Sequence, residues 1–168
     1  MMETNRLYLR DYSEGDFDFL KSLLSDPEVV RYIGHGTVKT EDEMKAFFRW
    51  IQHTYVQHAD FGLKVVCLKE NDEPIGHAGL VPQTIEGVNE LEVGYWIGRR
   101  YWRNGYASEI AEELKRYGFE NLNRQRLNSL IQPENEGSVK VAKKIGMKLD
   151  KKIKLKGKDV HVYAVEQG

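Results

Sequence analysis

Tyr95-Trp96-Ile97-Gly98-Arg99-Arg100-Tyr101-Trp102-Arg103-Asn104-Gly105-Tyr106-Ala107 decides how this chain is read, because a strand-like run breaks there into a loop and restarts as a helix. A helix that opens at Gly105 leaves its first backbone N–H groups without intrahelical partners, and the aligned peptide dipoles add partial positive charge at the same end. Phosphate groups bind readily at such an end. Gly105 lets the backbone approach a bulky diphosphate, Ala107 keeps the next turn slim, and Arg99, Arg100 and Arg103 bring positive charge to the mouth. The stretch reads as an anion site, while a loop glycine beside three solvated arginines would be spelled the same way. Two common phosphate loops do not fit it. Neither Gly-x-x-x-x-Gly-Lys-[Ser/Thr] nor Gly-x-Gly-x-x-Gly occurs in the chain.

On the N-terminal side of this loop, Leu91, Val93, Tyr95 and Ile97 share one face of a strand and Glu90, Glu92, Gly94 and Trp96 the other. Glu92 therefore points away from the apolar stripe. Two strands precede it, Phe61 to Lys69 and Ile75 to Pro82, with a turn at Asn71 to Pro74, and the three make an antiparallel meander. Further back, Arg6 to Arg10 alternates as a half-buried strand, Ser13 with Asp16 opens a helix that Asp26-Pro27 closes, and Thr40 with Glu43 opens a longer one. On the C-terminal side a helix runs from Gly105 to about Asn121, with Ile110, Leu114 and Tyr117 inward. A short strand, Leu127 to Ile131, follows it. The segment Asn135 to Ile145 is helical and closed by Gly146, and the strands Leu149 to Lys156 and Asp159 to Val165 form a hairpin turning at Gly157-Lys158. The expected architecture is a mixed α/β layer structure.

At 168 residues the chain suits one domain, 1–168, since roughly 150 residues make a domain with its own core. Hydrophobic residues at 40% and charged residues at 30% are ordinary for a soluble globular protein. The longest apolar runs, such as Val65 to Leu68, fall far short of the roughly 20 residues that a membrane helix needs. No secretory signal is visible, and Cys67 is the only cysteine, so the expected location is the cytoplasm. Cys67 lies in an apolar strand and reads as a small core residue rather than a nucleophile. The five histidines lack metal-ligand spacing, and a formal net charge of −1 argues against a general nucleic-acid binder. Acidic residues gather from Asp11 to Glu28 and lysines from Lys140 to Lys158, mostly as solvated faces.

Four segments resemble the GNAT superfamily of acyl-CoA-dependent N-acetyltransferases. Trp102-Arg103-Asn104-Gly105-Tyr106-Ala107 is similar to its diphosphate-loop motif [QR]-x-x-G-x-[GA], with Trp at the first position as in the RimJ/RimL-like subgroup. The Glu-x-Gly-Tyr-Trp-Ile run at Glu92 to Ile97 looks like the same subgroup. So does Asn135-Glu136-Gly137-Ser138 with Val141 to Met147, similar to N-x-x-S-x-x-V-x-x-K-x-G-[FM]. Thr4-Asn5-Arg6-Leu7-Tyr8-Leu9-Arg10 matches the subgroup's opening T-x-R-L-x-L-R. The match covers essentially the whole chain.

The resemblance implies a central, mostly antiparallel, splayed sheet flanked by helices, and acetyl-CoA as co-substrate without a metal. It places the diphosphate on Arg100, Trp102, Arg103, Asn104, Gly105, Tyr106 and Ala107, with backbone donors near Val93 or Gly94 polarising the thioester. Asn135 resembles a cofactor-arm contact and is also a favoured N-cap. Ser138 is the nearest candidate for the general acid, since the segment Asn135 to Gly146 has no tyrosine. Lys144 is a candidate for the cofactor's 3′-phosphate. Glu92 is the candidate general base, because an amine protonated at neutral pH must lose a proton before it attacks. The implied acceptor is a protein N-terminus, with a polyamine, an amino acid or an aminoglycoside as alternatives. A non-catalytic acetyl-CoA sensor is a further alternative. Neither nucleic acid nor membrane is implied as a partner, and family members occur as monomers and homodimers.

Overall fold

The computed structural model describes residues 2–168. The chain begins with strand β1 (Leu7–Asp11), a 3₁₀ turn (Glu14–Asp16) and helix α1 (Phe17–Leu24). The Ser13/Asp16 capping box is present but first closes the 3₁₀ turn, and the α-helix starts one turn later than the pattern suggests. Helix α1 ends just before Asp26-Pro27 as expected, and the pair also opens a further helix: Asp26 accepts the N–H of Glu28, and Pro27 stands at the first position of the one-turn helix α2 (Pro27–Val30). Proline fits there because its missing N–H would have had no partner in the first turn. Helix α3 (Glu41–Gln57) starts at the Thr40/Glu43 box as expected.

The meander is β2 (Gly62–Leu68), β3 (Pro74–Ile85) and β4 (Val88–Ile97). Both β3 and β4 are longer than their hydrophobic pattern suggests. They are joined by the two-residue turn Glu86-Gly87, with φ of +49° and +81°. Two positive φ angles match the right-handed twist of a hairpin, so Gln83 to Ile85 and Val88 to Glu90 pair although only Ile85 among them is a buried apolar residue. Helix α4 (Tyr106–Glu120) then crosses to β5 (Arg126–Ile131), which leads to α5 (Glu136–Lys144), β6 (Lys148–Leu155) and β7 (Lys158–Glu166). The last hairpin turns at Lys156-Gly157, φ +49° and +81°, one residue earlier than the glycine position alone suggested.

Among the described residues seven strands lie in the order β1-β2-β3-β4-β5-β7-β6, and every neighbouring pair is antiparallel except β4 and β5. Those two are parallel and share a single register pair, Glu92 with Asn128. Beyond it the strands diverge, so the sheet is splayed toward the ends that carry Ile97 and Ile131.

Two apolar layers hold the sheet. On one face Leu91 and Val93 join Ile110 and Leu114 of α4 and Ala142 of α5, all buried. On the other, Val65 and Val81 join Leu20 of α1 and Met44, Phe48 and Ile51 of α3, with Trp96 packed against them. The alternation along β4 thus sends Glu92, Gly94 and Trp96 to the α1–α3 face, and Cys67 is fully buried in the core as its strand pattern predicted.

Candidate active site

Each carboxylate oxygen of Glu92 has one donor: Gln83 Nε2 gives to Oε1 at 2.9 Å and the backbone N–H of Leu130 gives to Oε2 at 3.2 Å. The second bond crosses the splay. Where β5 turns away from β4, the Leu130 amide lacks a ladder carbonyl on that side, and the Glu92 side chain stands in for one. Burial pushes the Glu92 carboxyl up to about 7, and the two hydrogen bonds pull the other way by favouring the charged form. One register step on, the Val93 carbonyl accepts the buried Ser129 hydroxyl at 2.9 Å. Asn128, also buried, donates to Glu90 at 2.9 Å, and Arg126 holds Glu90 from the other side at 3.1 Å. The throat of the splay is therefore lined by polar side chains bonded to other strand groups, save the buried Asn128 Oδ1, which has no partner among the described residues.

The α1–α3 face carries the approach to Glu92. A Cβ at Gly94 would stand there in ordinary contact with Val81 Cγ2 at 3.6 Å and Leu63 Cδ2 at 3.8 Å, so core packing does not demand glycine and the β4 backbone is left bare between Glu92 and Trp96. Trp96 stacks on Phe47, ring centroids 5.7 Å apart. Gln132 at the end of β5 donates to the Gly34 carbonyl at 2.6 Å, which brings the loop after α2 across to the splay. His77 is fully buried between Trp96 and Tyr12, with Nδ1 at 2.7 Å from the Tyr12 hydroxyl, and burial pushes it down to about 3. It is a fully buried core residue. A cleft of about 430 Å³ opens at the far end of β4 from the loop, lined by Trp50, Gln83, Glu90 and Arg124, and its Gln83 is the residue that donates to Glu92.

The loop predicted to bind an anion runs from Gly98 through a 3₁₀ turn (Arg99–Tyr101) to α4. Gly105 is the N-cap in the left-handed region, φ +78°, and supplies no side-chain cap to the first amides of the helix. Arg103 is left-handed too, at φ +66°. Trp102 Nε1 donates to the Ile97 carbonyl at 2.7 Å, and Asn104 Nδ2 donates to the carbonyls of Tyr101 and Trp102 at 3.0 and 3.1 Å, so both side chains brace the loop. Arg100 and Arg103 are exposed. Arg99 departs from its expected place at the mouth: its guanidinium forms a forked pair with Asp26 at 2.6 and 3.1 Å, tying the loop to α2.

Across the splay, Asn135 Oδ1 accepts the Ser138 N–H at 3.2 Å and so caps α5. Ser138 is half-buried, and its carbonyl accepts the Tyr95 hydroxyl at 3.2 Å. Tyr95 thus spans from β4 to the first turn of α5. Lys144 is exposed in the last turn of that helix. Gln83 and Tyr95 escaped the sequence reading. Gln83 faces Glu90 only once the Glu86-Gly87 turn sets the register, and Tyr95 lay in a motif but on the apolar stripe.

A sheet parted between two parallel strands, with an uncapped, glycine-led helix at its open end, is the architecture of an acyl-CoA-dependent acyltransferase. Residues 6–148 match the Acetyltransferase (GNAT) domain family, and the chain belongs to it: it is an acetyl-CoA-dependent N-acetyltransferase. The chain is similar to YkkB, an uncharacterised protein of Bacillus subtilis (strain 168), at 35% identity over 161 residues, 95% of this chain and 92% of the relative. Two solved structures share its fold at lower identity. RimL, a ribosomal L7/L12 alpha-N-protein acetyltransferase in complex with coenzyme A, superposes with a TM-score of 0.78 at 17% identity over 97% of this chain and 95% of its own. Spermidine N-acetyltransferase from Vibrio cholerae, in complex with CoA and spermine, gives 0.74 at 18% identity over 96% and 95%.

Proposed function

We propose that the chain acetylates the N-terminal α-amine of a protein, such as a ribosomal protein, by direct attack in a ternary complex. Acetyl-CoA supplies the activated acetyl group. The carrying observation is Glu92: its carboxyl, raised to about 7, sits at the neck of the splay on the α1–α3 face, fixed by Gln83 and Leu130. A base near the working pH is partly ionised and still able to take a proton from an ammonium group. Glu92 takes that proton.

The residues of the loop fit a diphosphate. Left-handed Gly105 offers bare backbone, and the opening amides of α4 at Tyr106 and Ala107 point out of the helix without a side-chain cap. Exposed Arg100 and Arg103 add charge beside them, while Trp102 and Asn104 keep the loop in shape. Backbone donors at Val93 and Gly94 polarise the thioester. On the other wall of the splay, Asn135 fixes the first turn of α5 and contacts the pantetheine arm. The Ser138 hydroxyl donates a hydrogen bond to the departing thiolate, and Lys144 reaches the 3′-phosphate.

Half of the acidic segment is not free to bind a polycation. In the acidic segment Asp11 is held by Lys64 at 2.7 Å, Asp16 by Arg10 at 2.8 Å and Asp26 by Arg99 at 2.6 Å. Those three carboxylates are neutralised by the protein itself. The test is acetyl transfer to short peptides beginning with Ala, Ser or Leu against spermidine, free amino acids and an aminoglycoside. Turnover with a peptide class supports this reading, and turnover confined to a small amine overturns it.

A further inference from the structure

We infer that Arg6, ahead of the first strand, is a positioning residue for the diphosphate loop; this rests on the reading of that loop given above. Arg6 lies 98 residues from Asn104 in sequence, yet its Nη2 donates to the Asn104 carbonyl at 2.9 Å. A trans peptide directs its C=O and N–H oppositely. Fixing the Asn104 carbonyl on Arg6 therefore turns the N–H of Gly105 away from Arg6 and outward from the clamp. The same guanidinium lies 4.4 Å over the Tyr106 ring, so one side chain engages the residues on both sides of Gly105.

Glu109 anchors the clamp. It stands in the first turn of α4, where it accepts Arg6 Nε at 2.8 Å, the Arg6 backbone N–H at 3.0 Å and the Thr4 hydroxyl. These donors hold its carboxyl below the usual carboxylate range, against the opposing effect of burial. A bare carboxylate one turn into α4 would repel a diphosphate at the helix start. Arg6 cancels that charge while its second arm orients the loop. A lysine carries the charge but has no planar fork, so it performs the first task and not the second.

The experiment compares binding of CoA with binding of pantetheine, which lacks the diphosphate, in the parent protein and in Arg6→Ala and Arg6→Lys. Pantetheine also lacks the adenosine 3′-phosphate, so the ratio of the two dissociation constants reports on the whole nucleotide half; its change from parent to variant is assigned to the loop because Arg6 bears on that loop and Lys144 is unaltered, while a general loss of structure weakens both ligands together. We expect at least a tenfold fall in the preference for CoA in Arg6→Ala, a smaller fall in Arg6→Lys, and pantetheine binding unchanged in both. Should Arg6→Ala fail to fold, Arg6→Lys carries the test alone, and a preference equal to the parent's overturns the inference. A preference equal to the parent's in a folded Arg6→Ala overturns it as well. If the parent itself binds pantetheine as tightly as CoA, the reading of the loop fails, and the inference falls with it.

Discussion

The Glu92 carboxylate accepts the backbone N–H of Leu130 at 3.2 Å, from the strand that runs parallel to its own and parts from it at that point. One side chain thus closes the neck of the splay and presents a carboxyl that burial has pushed up to about 7. Removing the charge while keeping the shape separates these roles. Glu92→Gln is expected to lower kcat by about 10²-fold or more, with CoA affinity within a factor of two of the parent, measured by steady-state kinetics and calorimetry. Unchanged turnover would take Glu92 out of the mechanism.

The pH dependence of stability follows from the same group. Glu92 holds its proton to about pH 7 in the folded chain and to 4.5 when unfolded, so folding is favoured at low pH and that contribution fades as pH rises through 7. The parent is expected to lose stability relative to Glu92→Gln between pH 4.5 and 8, by on the order of 3 kcal/mol. Denaturant unfolding of both proteins at the two pH values checks the difference, which cancels any fixed effect of the amide.

Gln83 donates to the charged form of Glu92 and so restrains the rise of its pKa. Gln83→Leu is expected to move the acidic limb of the kcat/KM profile to higher pH and to leave the alkaline plateau within a few-fold of the parent. A profile that keeps its midpoint would show that the Gln83 amide does not bear on the group that titrates.

Gly105 is left-handed at φ +78°, and an added Cβ would meet only Arg6 Nη2, at 3.6 Å. Gly105→Ala is therefore a test of backbone conformation rather than of crowding. Strain of about 1 kcal/mol is expected, read as a fall of a few degrees in Tm, together with a tenfold or greater loss of CoA affinity. Pantetheine binding should not change.

The elements that carry an apolar period were legible in the sequence, and the loop and motifs gave the fold. The Thr40/Glu43 box starts α3 where expected, and alternation along β4 placed Glu92 off the apolar stripe. The errors fall where backbone conformation, not hydrophobicity, sets the structure. Glu86-Gly87 adopts two positive φ angles that extend the β3–β4 pairing into polar residues, and with that register unread Gln83 could not be matched to Glu92. Asp26-Pro27 spells a helix start as well as a stop, and the structure uses it as both, with α1 ending before it and α2 capped by Asp26. Arg99 looked like a free cation because its partner, Asp26, lies 73 residues earlier in the chain. Long-range pairs of this kind have no local signature. Arg6 belonged to a recognised opening motif, yet its contact with Asn104 becomes visible only in the folded chain.

The most direct test of the account is release of CoA thiol from acetyl-CoA by the parent protein and Glu92→Gln, offered peptides with free α-amines beginning Ala, Ser or Leu, and spermidine in parallel. The account predicts release with at least one peptide class, little with spermidine, and loss of the peptide activity in Glu92→Gln. Release confined to spermidine, or peptide turnover that survives the substitution, would contradict it.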